Sequence, residues 1–255
     1  GRIVTPEDAE NVLRSGSADF VSIGRGLYAD PHWALKAFGE VKAPIRECIA
    51  CNVCFERLTI EKDVSCVQNP MVGTEFEALQ YAEPQLFAPG SSPRKRVLIL
   101  GAGVAGIEAA RVAAGRGHTV EVWEKASQPG GQIHLAVAGP DKSEVWPVWN
   151  YRWQTLQTLK VPVRTNVRAT AESIQAFKPD FIVLATGAQP QAAPLDTLQV
   201  APSIAKYHAL DVFENPDLVG SNSHVTIIGA GMVGAELADL LRLRGCHIRL
   251  LEMQG

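Results

Sequence analysis

The chain has 255 residues, 46% hydrophobic and 20% charged, enough to bury a sizeable core and form between one and three domains. A net charge of -3 and an isoelectric point near 6.1 leave no broad basic surface, which argues against nucleic acid or an anionic membrane as partner and for small molecules. No apolar stretch is long enough to span a bilayer and no charged-then-apolar segment opens the chain, so a cytoplasmic location is expected; oligomeric state is not legible.

Residues 1–40 open with a helix signal at Thr5-Pro6-Glu7 and pass to an apolar stretch, Phe20 to Ile23, expected as a strand. Gly24-Arg25-Gly26 follows, and a second helix is expected to begin near Asp30-Pro31. Two such α/β units cannot close a parallel sheet or cover both its faces, so residues 1–40 are expected to end a larger parallel α/β domain that begins upstream.

Residues 41–93 carry four of the five cysteines: Cys48-Ile-Ala-Cys51-Asn-Val-Cys54, then Cys66 after eleven intervening residues. Four thiolates suit a 4Fe-4S cluster or a structural zinc ion. A zinc site built from two C-x2-C knuckles would want a second closely spaced pair, so the three-plus-one spacing favours iron and sulfur. Cys246 stands apart and is expected to be a small core residue. Residues 83–95, rich in Pro, Gly and Ser, read as a linker, with a new domain from about Arg94.

From Arg96 the pattern is strand, glycine turn, helix, strand, and it returns at His224. Gly101, Gly103, Gly106, Glu108, Arg116, Gly117 and Glu124 align without a gap on Gly229, Gly231, Gly234, Glu236, Arg244, Gly245 and Glu252. Each copy is a G-x-G-x-x-G turn between a buried strand and a helix, closed by an acid on the next strand. The first glycine permits the tight turn, the second lets backbone N–H groups approach a pyrophosphate, and the third admits close helix packing. Glu124 and Glu252 are the expected acceptors of ribose hydroxyls. Two dinucleotide folds suggest two dinucleotides, a flavin and a nicotinamide that exchange hydride. The second copy ends three residues after its acid and is expected to be incomplete. Six histidines show no ligand-like spacing, and Trp146, Trp149 and Trp153 stand at helix-like spacing typical of packing.

Only the first copy is followed by Gln128-Pro-Gly130-Gly131-Gln132 and later by a strand ending Ala185-Thr186-Gly187. This order resembles the flavoprotein disulfide reductases with two dinucleotide domains. The resemblance implies that the first fold binds FAD, with Gly130, Gly131, Gln132 and Ala185, Thr186 and Gly187 along it, and that the second fold binds NAD(P)H. The C-x4-C redox disulfide of those reductases is missing after the first turn.

With the cysteine segment and the phrase Cys66-Val-Gln-Asn-Pro70 added, the whole chain resembles the iron-sulfur flavoenzymes typified by 2,4-dienoyl-CoA reductase and trimethylamine dehydrogenase. That resemblance implies the tail of an FMN-binding TIM barrel at 1–40, a 4Fe-4S segment and linker at 41–93, a Rossmann-like FAD domain at 94–220 and the start of an NAD(P)H domain at 221–255. It also implies that Gly1, Arg2, Gly24 and Arg25 grip the FMN phosphate. The C-x2-C-x2-C spacing is similar to the amine dehydrogenase branch, whereas the intact glycine turns are similar to the reductase branch. The implied activity is passage of electrons from NAD(P)H through FAD, singly through the cluster, to FMN, for reduction of an enoyl- or dienoyl-type substrate. The reverse flow from an amine oxidised at FMN, and an inert dinucleotide-binding module, are the rival readings. Any catalytic acid or base is expected in the barrel upstream.

Overall fold

The structure is a computed structural model that describes residues 2–74, 93–188 and 199–253. Gly1 and most of the expected linker at 83–95 lie outside the described residues. The chain divides into two compact units, Gly1–Gly131 with Val145–Thr186, and Gln132–Glu144 with Gly187–Gly255.

The first unit begins with helix α1 (Pro6–Arg14), which starts where Thr5-Pro6-Glu7 indicates. The Thr5 hydroxyl accepts from the Asp8 N–H at 3.2 Å and the Asp8 carboxylate accepts from the Thr5 N–H at 2.7 Å, a reciprocal cap that satisfies two otherwise orphaned donors. Those backbone bonds also hold the Asp8 carboxyl below its ordinary value. The expected strand at Phe20–Ile23 is not formed. A strand exists only beside a partner that takes its N–H and C=O groups, and no described residue pairs with this stretch. Instead, short helices α2 (Arg25–Ala29) and α3 (Trp33–Ala37) flank Asp30. Asp30 is fully buried, and its carboxylate accepts from the His32 N–H, from Lys36 Nζ at 2.7 Å and from the Arg46 N–H at 2.8 Å. Helix α4 (Val53–Thr59) follows the first cysteines.

The rest of this unit is a four-stranded parallel sheet built from β1 (Arg96–Leu100), β2 (Thr119–Trp123), β3 (Val163–Arg164) and β4 (Phe181–Leu184) in the order β3-β2-β1-β4. Helix α5 (Val104–Gly115) connects β1 to β2. The later crossovers contain α7 (Pro147–Thr158), before β3, and α8 (Ala171–Phe177), before β4; they leave the short helix α6 (Ile133–Ala136) to the second unit. Side chains alternate across a strand, so Leu98 and Leu100 face Ile174 and Phe177 of α8, while Val97 and Ile99 face the side covered by α5. Leu98, Ile99, Ile107 and Leu156 are all but inaccessible to solvent. Truncating one of these to Ala costs about 2–5 kcal/mol. The ring of Phe177 meets Trp123 edge-on, with centroids 5.4 Å apart. Trp149 and Trp153 stack along α7, and Trp146 at its N-cap meets Trp149 at a tilt, consistent with their helical spacing.

The second unit pairs β5 (His224–Ile228) with β6 (His247–Leu251) in parallel, joined by α10 (Met232–Leu243) and preceded by α9 (Ala209–Glu214). Val212, Phe213, Ile227, Leu237, Leu241 and Cys246 form its core, which Leu135 and Ala138 help to cover. Cys246 is the small core residue expected. Among the described residues, no helix is long and apolar enough to cross a membrane.

Candidate functional site

The first glycine turn has the geometry its sequence dictates. Gly101 takes φ 106°, a conformation that L side chains rarely adopt, and a Cβ there would sit 2.2 Å from the Ala185 carbonyl oxygen. A Cβ on Gly106 would sit 1.9 Å from the Gly101 oxygen, so the third glycine lets the helix rest on the turn. Gly103 is the extended N-cap of α5, with no side chain capping the first-turn N–H groups, which leaves them for an external anion. The Gly130-Gly131 segment crosses beside it: Gly130 donates to the Ala102 carbonyl at 2.9 Å and Gly131 lies against the Gly103 Cα. Ala185 donates to Leu100 at 2.9 Å, which carries Ala185-Thr186 past the same turn. Gly101, Gly103, Gly106, Gly130, Gly131 and Ala185 thus form a side-chain-poor cradle at a helix N-terminus, the arrangement by which dinucleotide folds approach a pyrophosphate. The buried Glu124 carboxylate accepts from the Ala102 N–H at 2.7 Å and from the Ala126 N–H at 2.9 Å. In the second unit Gln132 donates through its side-chain amide to the Ala188 carbonyl at 3.2 Å, one residue beyond Gly187.

The second turn repeats this geometry. Gly229 has φ 100°, Gly231 is the extended N-cap of α10, and a Cβ on Gly234 would meet the Gly229 oxygen at 1.9 Å. Glu252 accepts from the Ala230 N–H at 2.8 Å, the counterpart of Glu124 and Ala102.

The cysteines meet. Cys48, Cys51, Cys54 and Cys66 line one small cavity, together with Arg25, Tyr28, Asn52 and Gln68. Among the described residues no three His, Cys, Asp or Glu side chains are grouped tightly enough to hold a single metal ion. A zinc ion at about 2.3 Å from each sulfur draws its thiolates round one point. A four-iron cube takes four thiolates spread round a space, and four thiols on one cavity are a donor set that it could use. Ala50 and Asn52, on either side of Cys51, are both left-handed at φ 53° and 59°, as in backbone turns whose N–H groups converge on anions and many iron-sulfur sites. Burial pushes the Cys66 thiol up, against the pull of the Asn69 and Gln68 N–H groups. Arg25 donates to the Asn52 side chain, tying the expected phosphate-gripping loop at Gly24-Arg25 to the cysteine turn. Arg2 has a left-handed backbone at φ 67° and an exposed side chain.

Sequence reasoning missed a buried polar network. Glu108 on α5 accepts from Arg111 at 2.8 and 3.0 Å, and Arg152 Nε on α7 lies 3.0 Å from Glu108 Oε2. Burial alone would raise the Glu108 carboxyl, but the Arg111 hydrogen bond and the charges of Arg111, Arg152 and Arg46 hold it below its ordinary value. Arg152 also donates to the side-chain oxygen of Gln68 at 2.8 Å and to its carbonyl at 3.3 Å. Gln68 donates to the Glu47 carbonyl, and Asn69 to the Tyr28 carbonyl. The Gln-Asn pair after Cys66 therefore anchors the fourth thiol. An acid and an arginine three apart on an otherwise apolar helix, Glu108 and Arg111, were the available signal.

Residues 95–255 match the family described as pyridine nucleotide-disulphide oxidoreductase. Over 254 residues the chain is 37% identical to a bilirubin reductase of Mediterraneibacter gnavus, covering 99% of this chain and 38% of that protein. It is 38% identical over 188 residues to an N,N-dimethylglycine/sarcosine dehydrogenase of Chromohalobacter salexigens, covering 74% of this chain and 26% of that one. A solved 2-naphthoyl-CoA reductase complex matches 98% of this chain and 36% of its own, with TM-score 0.82 and 30% identity. The chain thus spans less than two fifths of the length of each of these proteins.

Proposed function

The chain belongs to the pyridine nucleotide-disulphide oxidoreductase family, among the flavoenzymes of the 2,4-dienoyl-CoA reductase and trimethylamine dehydrogenase type, and from that premise we propose that it is the electron-transfer part of an NAD(P)H-dependent flavin and iron-sulfur reductase of enoyl- or dienoyl-type substrates. The observation that carries this reading is that one unit holds both a glycine cradle for a dinucleotide and a cavity lined by four thiols. Gly101, Gly103, Gly106, Gly130 and Gly131 would receive the FAD pyrophosphate, Glu124 its ribose, and Ala185-Thr186 would wall it; Gln132 and Gly187 complete the set by resemblance. Gly229, Gly231, Gly234 and Glu252 would receive NAD(P)H. Cys48, Cys51, Cys54 and Cys66 would ligate a 4Fe-4S cluster, and Gly1-Arg2 and Gly24-Arg25, closing a TIM barrel at 1–40, would hold the FMN phosphate.

When bound, the flavins supply exchange between hydride pairs and single electrons, and the cluster supplies one-electron passage between them. The chain's own part is to hold these groups. The glycines leave no side chain between backbone N–H groups and phosphate, and the acids fix the sugars. The thiols, with N–H donors aimed at Cys66, would supply a negatively charged cage with Arg25 beside it.

The opposite flow, from an amine toward an external acceptor, is favoured by the C-x2-C-x2-C spacing and by the similarity to the dimethylglycine/sarcosine dehydrogenase. The intact second turn favours entry from nicotinamide. Cys51→Ala in the full-length protein separates the steps. Reduction of an artificial acceptor by NADH at FAD should persist, while NADH-driven reduction at FMN falls by orders of magnitude. A folded, flavin-loaded variant that still reduces FMN at the normal rate would refute the relay.

A further inference from the structure

Resting on the iron-sulfur reading above, we infer that Arg152 is a positioning residue that sets the reduction potential of the cluster through Gln68. The structure connects the two by a short series of bonds. Arg152 lies on α7, nearly buried, with Nε 3.0 Å from Glu108 Oε2 and one amino group 2.6 Å from the Val148 carbonyl. Its fork grips Gln68 at both oxygens, the side-chain amide at 2.8 Å and the carbonyl at 3.3 Å. The Gln68 N–H in turn donates to Cys66 Sγ at 3.4 Å. Gln68 has almost no exposed surface, and its side-chain nitrogen is engaged with the Glu47 carbonyl, so neither end of the residue is free to turn.

The chemistry follows from charge. Reduction adds an electron to a cage of four thiolates, and an N–H pointed at a sulfur offsets that charge, so potentials rise with hydrogen bonds to the sulfurs. Holding a peptide N–H on a sulfur requires holding the peptide. A planar guanidinium bound at two points does this, whereas an ammonium reaches only one of the Gln68 oxygens at a time. Glu108 lies beside the guanidinium as an ion-pair partner at 3.0 Å, so a helix of the dinucleotide fold faces the residue that holds the fourth ligand's loop. The residues lie 84 positions apart in sequence, and no local motif announces the link.

The test is a redox titration of the cluster in the full-length protein, followed by its electron paramagnetic resonance, with iron and sulfide counted in each variant. Arg152→Met should shift the oxidised-to-reduced ratio about tenfold toward oxidised, a fall of about 59 mV for a one-electron couple. Arg152→Lys should recover only part of that fall. Gln68→Met removes the gripped amide, and combined with Arg152→Met it should lower the potential no further than the larger single change, since both act on one N–H···S bond. Arg152 variants that keep four irons and the wild-type potential would overturn the inference while leaving the cluster standing, and additive falls in the double variant would overturn the route through Gln68. A wild-type protein with no cluster signal would overturn the iron-sulfur reading and this inference with it. Should Arg152→Met fail to fold, the Arg152→Lys potential decides the matter.

Discussion

The two glycine folds share one local design in different surroundings. Strands Arg96–Leu100 and His224–Ile228, helices Val104–Gly115 and Met232–Leu243, and strands Thr119–Trp123 and His247–Leu251 have matching lengths and the same parallel register, and Gly101 and Gly229 share a positive φ near 100°. Their settings differ. In the first copy β4 leads to Ala185, which a Cβ on Gly101 would strike, whereas no described residue stands within 4 Å of the same position at Gly229. Glu124 is buried and Glu252 is exposed. Glu108 sits between Arg111 and Arg152, while its counterpart Glu236 meets Lys142 at 2.7 Å on the surface. Two strands and a helix are enough to shape the turn.

Substitutions at equivalent positions test this division. Gly101→Ala combines a strained backbone with a backbone clash and should cost about 4 kcal/mol and the bound FAD, against about 1–2 kcal/mol for Gly229→Ala, where no described residue adds a clash to the strain. Flavin content and thermal unfolding measure both, and equal losses would break the comparison. Next in size is Glu108→Gln, expected to destabilise by about 3 kcal/mol, at the low end for a broken buried pair because 27% of the Glu108 side chain is exposed. Glu236→Gln should cost less than about 1 kcal/mol. Because the folded state holds the Glu108 carboxyl below 4.5, its contribution is present above that value and is lost as pH falls through the lower folded value. Denaturant unfolding from pH 6 to 3 should show that loss in the wild type and not in Glu108→Gln; parallel curves would contradict it. The last effect concerns Glu252, which in the proposed reading accepts from a ribose hydroxyl and repels a 2′-phosphate. NADH should be preferred, and Glu252→Ala should narrow the ratio of NADH to NADPH specificity constants about tenfold. An unchanged ratio would remove Glu252 from cofactor selection.

The glycine folds were legible in the sequence because their geometry is local: a φ only glycine tolerates and a periodicity within thirty residues define them. The four thiols were legible as a donor set for the same reason. The strand expected at Phe20–Ile23 is not formed, since an apolar run cannot reveal whether a partner lies beside it. Helix Arg25–Ala29 was masked by Gly24 and Gly26, which read as turn signals. The Glu108, Arg152 and Gln68 network was hidden by sequence distance, because buried charges declare themselves only through their partners.

The central claim is that Cys48, Cys51, Cys54 and Cys66 hold a cluster beside an FAD fold, and elemental analysis of the anaerobically purified full-length protein tests it most directly. The account predicts about four irons and four acid-labile sulfides per chain. One zinc per chain with no sulfide would contradict it.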